Sequence, residues 1–371
     1  MPAPFLRRRS PLLSVLTVVI GLAQGIVIAA PTGEMGRPLL QAFTPRDYRA
    51  HQQIWMGAQA PDGVMWFGNS HSVLSYDGTQ WHRIEVPTSF VRTLAIGPEG
   101  RLYVGGTDQL GTITPGPDGA PVFASLIEKI PGNRAPLGVI WSMTATRDAV
   151  WFATESLVLR WREGKFDTWA LNGKPRQALL PIGDDLFLHR QGIGLFRFDG
   201  REFVAVSSAP ELIAAPFCAL ERDPEGNLLL NLGGTGFFRL RGAQLERFAT
   251  PLDPLLARTR LRHMEKLADG THVIATQTLG VIVADADFRF LTRVSSANGL
   301  ESETILSLTR DREGGVWIGT GNGVVRLEPS PRFSIFDGTN GLPRGLVRDV
   351  CRHDGTLFAA TPEGVVRLEA A

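Results

Sequence analysis

Asp311-Arg-Glu-Gly-Gly-Val-Trp-Ile-Gly-Thr-Gly-Asn-Gly-Val-Val-Arg-Leu327 reads as a pair of short strands joined by tight turns. Val316, Trp317, Ile318, Val324 and Val325 are β-branched or aromatic, and glycines stand at the ends of both runs. Turns that need positive φ take glycine because it has no Cβ to clash. The same unit recurs with starts at Pro61, Pro98, Arg147, Gly183, Pro224, Ala268, Arg312 and His353. Its second-strand aromatic or aliphatic position falls at Trp66, Tyr103, Trp151, Phe187, Leu229, Val273, Trp317 and Phe358. Successive positions are 36 to 48 residues apart. That spacing is too long for leucine-rich repeats, and the helical period of 3.6 is absent.

Two further strands belong to each unit. Upstream lie runs such as Val91–Ile96, Ile140–Ala145, Phe217–Glu221 and Ile305–Thr309. Downstream lie short aromatic segments, namely Trp81–Ile84, Phe166–Trp169, Phe203–Val206 and Phe333–Phe336. Four antiparallel strands in some 42 residues have the size of one propeller blade. The expected fold is all-β, a β-propeller of four-stranded blades with eight repeats, and the Trp and Phe of the second strands should pack between blades. Two closures fit the count. In one, Leu39–Thr44 supplies the outer strand of the last copy and closes an eight-bladed ring. In the other, a seven-bladed ring ends near Pro329 and the eighth copy starts a second propeller.

Composition excludes other classes. The chain has 371 residues, with 38 Lys+Arg against 37 Asp+Glu, a net charge of +1 that offers no footprint for nucleic acid. Forty-one Gly and 25 Pro oppose a helical bundle, and two cysteines are too few for a thiolate zinc site. Arg7, Arg8 and Arg9 precede an uncharged apolar run from Pro11 to Ala30, the parts of a secretory signal peptide, with an uncleaved N-terminal anchor as the rival reading. The division expected is therefore a signal over 1–30, a lead-in with a closing strand over 31–50, and a propeller over 51–371. Export would put Cys218 and Cys351 in an oxidising compartment, where they could pair; buried free thiols are the simpler reading.

The stretch Asp311–Leu327 resembles the two-component regulator propeller repeat, whose pattern runs Asp-x-x-Gly-x-Leu-Trp-x-Gly-Thr-x-x-Gly-Leu. Asn298-Gly299-Leu300 and Asn340-Gly341-Leu342-Pro343 resemble the loops that lead into each blade of that family. The resemblance covers roughly residues 40 to 371 and implies an exported ligand-sensing propeller. It implies an oligosaccharide or other small ligand, with a membrane signalling partner or a C-terminal output region outside this sequence.

Catalytic patterns are weak. Seven scattered histidines show no metal-ligand spacing, and no Gly-x-Ser-x-Gly elbow occurs. No catalytic residue, metal site or cofactor is therefore assigned. Streptogramin-lyase and lactonase propellers carry similar repeats, which keeps a metal-assisted enzyme as an alternative, seeded by His263 and Glu265; a protein–protein scaffold is another. Binding fits better, because the loops leading into the innermost strands converge around the axis. The candidate ligand-binding residues there are His51, Gln53, Trp55, Arg92, Trp141, Arg176, Arg262, His263, Glu301 and Arg348. Indole rings would stack on sugar faces and arginines would donate to hydroxyls or carboxylates.

Overall fold

The two strands expected form a hairpin, Val316–Thr320 with Gly323–Leu327, and Trp317 stands opposite Arg326. The acidic residue that opens the unit holds it together. The buried Asp311 carboxylate accepts the Gly315 N–H at 2.6 Å, the Trp317 indole N–H at 3.0 Å and Arg326 Nε at 2.8 Å. Gly314, at φ +91, makes the turn between them. Asp223 does the same work in another copy, accepting the Asn227 N–H at 2.7 Å and Arg239 Nε at 2.7 Å. The motif is thus a fastening of strand to turn.

The computed structural model describes residues 36–368 apart from 133–135, 174, 217, 224, 330–334 and 339–341. The expected signal peptide, residues 1–30, lies outside the described residues. Among the described residues there are seven four-stranded antiparallel sheets and one of three strands. Blades 1 to 6 run in chain order from innermost to outermost strand, with innermost strands Met56–Gln59, Val91–Ile96, Ser142–Ala145, Gln177–Ile182, Cys218–Arg222 and Leu261–Lys266. Blade 7 begins with Ile305–Arg310 and takes its outermost strand, Leu40–Phe43, from the other end of the chain.

The ring closes at seven. Neighbouring innermost strands pack in order from blade 1 to 5 and again from 6 through 7 to 1. Blades 5 and 6 share a core of Leu229, Phe237, Leu261 and Ile274. At the seam, Ile54 of blade 1 donates its N–H to Thr320 of blade 7, and Arg312 donates to the Ala60 carbonyl at 2.7 Å. The eight-bladed alternative is therefore corrected to seven. Leu40 pairs with Leu327 and Phe43 with Val324, so the closing strand serves the seventh copy and not the last. The reason is aromatic: Phe43 stacks on Trp317 at 5.8 Å and meets Tyr76 and Trp81 at 5.0 and 5.2 Å. Phe333–Phe336, expected as the outer strand there, lies partly outside the described residues, and Ile335 forms an isolated bridge with Arg37. Among the described residues the eighth copy, Asp349–His353, Thr356–Thr361 and Gly364–Arg367, pairs only within itself, and Val350 and Val365 are exposed.

Six of the eight second-strand residues are buried as expected, while Trp66 and Phe358 are only partly buried. Tyr103, Trp151, Phe187, Leu229, Val273 and Trp317 are all at most 4% exposed in the cores between sheets. Gly68, two residues after Trp66, has a separate reason: a Cβ there would come within 2.5 Å of the Val91 carbonyl of the next blade. Glycine lets the second strand of blade 1 approach the innermost strand of blade 2. Cys351 is a free thiol and exposed, against the expectation of burial.

Candidate functional site

The axis is lined where each innermost strand begins, and there the strands are irregular. The pairing slips between Val91 and Thr93, between Leu261 and His263, and between Ile305 and Ser307. Each slip is a β-bulge that leaves one residue out of the ladder: Arg92, Arg262 and Leu306. A bulge frees a side chain from the alternation of its strand and re-aims it. Trp55 and Trp141 hold the comparable place in blades 1 and 3, just before Met56 and Ser142. Their backbones are fixed by N–H bonds to the Gly68 and Ala153 carbonyls, at 2.9 and 2.8 Å.

These residues meet. The Arg92 guanidinium lies 4.8 Å from the Trp55 ring centre and 5.2 Å from that of Trp141. Arg176, which precedes the innermost strand of blade 4, lies 5.7 Å from Trp141. The tryptophans therefore hold guanidinium groups, a cation–π arrangement. That differs from the expectation that their faces would await a sugar. Both indole Nε1 atoms are buried, with no hydrogen-bond partner among the described residues.

The electrostatics follow from crowding. Burial lowers the pKa of Arg92, and the charges of Arg176 and Arg262 push it the same way. Arg176, though it keeps an exposed face, is lowered by desolvation and then by Arg262. Burial takes the His263 imidazole down to about 4, with Arg176 and Arg262 adding to the shift and a hydrogen bond with the Leu306 backbone opposing it. His263 is thus neutral at pH 7. Two residues further along the strand, burial pushes Glu265 up to about 7 against the pull of Arg310.

The remaining candidates lie apart from this cluster. His51 and Gln53 are held by Asn69, whose amide donates to their carbonyls at 2.6 and 2.9 Å, so their place is a clamped loop. Glu301 is exposed in the loop before Ile305. Arg348 precedes the first strand of the eighth sheet, which pairs with no blade. Arg190 is not among the residues the sequence singles out. It occupies a buried slot where other blades place Gly106, Thr276 or Thr320, and an arginine there was the available signal.

A surface depression of about 630 Å3 lies off the axis between blades 4 and 5. Its charges are already matched, Asp185 with Arg197 at 2.9 Å and with Arg222 at 2.7 Å. Among the described residues no three His, Cys, Asp or Glu side chains are grouped so as to hold a metal ion.

Comparison with known proteins bears on the scaffold. Residues 299–322 match the family model of the two component regulator propeller, so the repeat is of that type. No curated protein matches the chain in sequence. Among solved structures, the extracellular domain of BT3049 from B. thetaiotaomicron, assigned as a hybrid two component system, superposes with TM-score 0.62 at 15% identity. The match covers 90% of this chain and 49% of that one. The corresponding domain of BT4673 from the same organism gives 0.60 at 14% identity, over 89% and 46%. Virginiamycin B lyase from Staphylococcus aureus gives 0.60 at 11%, over 78% and 98%. The chain spans about half the length of the two-component-system domains it matches. At such identities the likeness is one of fold, and it is a propeller fold. No helix among the described residues is long and apolar enough to cross a membrane.

Proposed function

We propose that the chain is an exported, non-catalytic sensor propeller that binds a small ligand, in keeping with an oligosaccharide, at the axial mouth where Trp55, Arg92, Trp141, Arg176, Arg262 and His263 meet. One observation carries this reading: Trp141 of blade 3 lies 5.2 Å from Arg92 of blade 2 and 5.7 Å from Arg176 of blade 4, Arg92 also meets Trp55 of blade 1, and Arg262 of blade 6 is near enough for its charge to lower the pKa of both arginines. Only the axis brings such residues together. Rings of blades use the loops at that end for recognition because the packed sheets hold them rigid. The regulator-type repeat and the likeness to extracellular domains of two-component systems support a place in signalling. The output would then come from a membrane partner or from a region beyond this sequence.

A thermal-shift screen of the full chain against oligosaccharides and small acids tests the reading. Stabilisation without turnover is expected, and at a ligand concentration 100 times Kd it amounts to about 2.7 kcal/mol. A lyase is the second reading, supported by the virginiamycin B lyase likeness, which covers nearly all of that enzyme. Chelator-sensitive consumption of a lactone substrate by the full chain would select it over the sensor.

A further inference from the structure

Two guanidinium groups at one end of the axis are held against indole rings before any ligand arrives, and Arg262 is presented beside them by a bulge. Arg92 sits against two indoles, and Arg176 against one of them. Arg92 and Arg262 are presented by bulges, whose extra residue cannot fold back into the ladder. The charges bearing on Arg92 and Arg176 are those of other arginines, with no carboxylate among them. The nearest carboxyl along the blade 6 strand, Glu265, faces Arg310. His263, beside Arg262, is uncharged at neutral pH and offers no negative charge either. Two other half-buried arginines are matched by carboxylates, Arg239 by Asp223 and Arg326 by Asp311, whereas buried Arg190 donates to the Asn172 carbonyl. Concentrating like charges away from bulk water costs free energy that a bound counter-charge returns.

We propose that the axial mouth is selective for a small polyanion, one carrying two or more carboxylate, sulfate or phosphate charges placed to meet Arg92, Arg176 and Arg262, with the Trp55 and Trp141 N–H groups as further donors. The inference rests on the ligand-binding reading of the same site and narrows it. Because each tryptophan supports a guanidinium, the surface offered is a fork of charged donors, which suits paired anionic oxygens better than neutral hydroxyls. A neutral sugar would leave the arginines unmatched.

The test uses calorimetric titration and thermal shift on the full chain with pyrophosphate, citrate and digalacturonate, and with lactose as a neutral probe. At least one anion should bind and raise Tm, lactose should not, and binding should weaken with added salt. Which anion responds separates phosphate chemistry from carboxylate, and ring-borne carboxylate from the acyclic kind. Arg176→Gln and Arg262→Gln should each raise its Kd by about 10-fold or more, whereas Arg367→Gln, exposed on the eighth sheet, should leave it unchanged. Arg92→Gln is expected to do the same as the first two but risks the packing around it, so the decision rests on the other pair, each checked for an unchanged circular dichroism spectrum. Anion binding that survives both substitutions overturns the proposal. Lactose binding with the anions silent also overturns it while leaving a ligand site at the axis. Silence from every probe overturns the polyanion inference and counts against the axial reading itself.

Discussion

Phe43→Ala tests where the ring is fastened. Phe43 is 9% exposed and closes a cluster with Tyr76, Trp81 and Trp317, the last belonging to blade 7 and the others to blade 1. Truncating a buried Phe to Ala costs about 3–5 kcal/mol, from lost transfer energy and from the cavity left behind. The lower end applies, since the residue sits at an outer strand and the pocket can partly collapse. With about 2 cal/mol/K of unfolding entropy per residue over the roughly 290 residues of the ring, about 3 kcal/mol becomes a fall in Tm of about 5 °C. Calorimetry and urea unfolding should agree on this loss. Val365→Ala, at 72% exposure on the eighth sheet, serves as the control and should change stability by no more than about 0.5 kcal/mol. The reasoning fails if Phe43→Ala moves Tm by less than about 1 °C, or if Val365→Ala costs as much. Either result would mean that the amino-terminal strand does not seal the seventh blade.

Asp311→Ala removes acceptors from Gly315, Trp317 and Arg326 at once and strands a half-buried guanidinium, so a loss of about 3–5 kcal/mol is expected in urea unfolding. Gly68→Ala puts a Cβ within 2.5 Å of the Val91 carbonyl and should cost about 1–3 kcal/mol by forcing blades 1 and 2 apart, read as a lowered Tm. Glu265 binds its proton more tightly folded than unfolded, so its contribution to stability is full below about pH 4 and declines as pH rises toward about 7, where it levels off. The full shift would be worth about 3 kcal/mol, and partial solvent access to the side chain reduces this to about 1–2. Glu265→Gln should therefore flatten the loss of stability between pH 5 and 8, and an unchanged pH profile would show that the carboxyl is not held protonated.

The blades are legible in the sequence because their signals are local. Val91–Ile96 has the same bounds in the sequence pattern and in the structure, and the Trp317 and Trp151 positions are buried as their alternation required. The seam is not legible, because Leu40-Gln41-Ala42-Phe43 would suit the outer edge of any blade. What selects blade 7 is the fit of the Phe43 ring against Trp317, a contact across 274 residues that leaves no mark in the neighbouring sequence. The place of Arg348 is illegible for a related reason. It stands at the repeat-equivalent place of its copy, but equivalence along the chain becomes nearness in space only for copies inside the ring. The bulges are illegible too. Alternation would assign Arg92 to the same face as Leu94, and nothing in Val91–Ile96 announces the extra residue that turns it away.

A propeller separates the residues that build it from those that would use it. Asp311, Gly315, Trp317 and Arg326 are engaged with one another, so a repeat pattern made of such residues is a record of packing. It is these packing requirements that residues 299–322 share with the regulator family, and they explain why extracellular domains of two-component systems and a lyase superpose on the chain almost equally well. The bulged position is under no such demand. It holds arginine in blades 2 and 6 and leucine in blade 7, and the sheets pair on either side of it in each case. A side chain there can change without cost to the hairpins that define the fold, so differences in ligand among propellers of this kind should concentrate at the slips in the innermost strands. In this chain those slips carry two arginines towards the axis, and a third joins them from blade 4. The charge they assemble is a property of this sequence that the shared scaffold does not dictate.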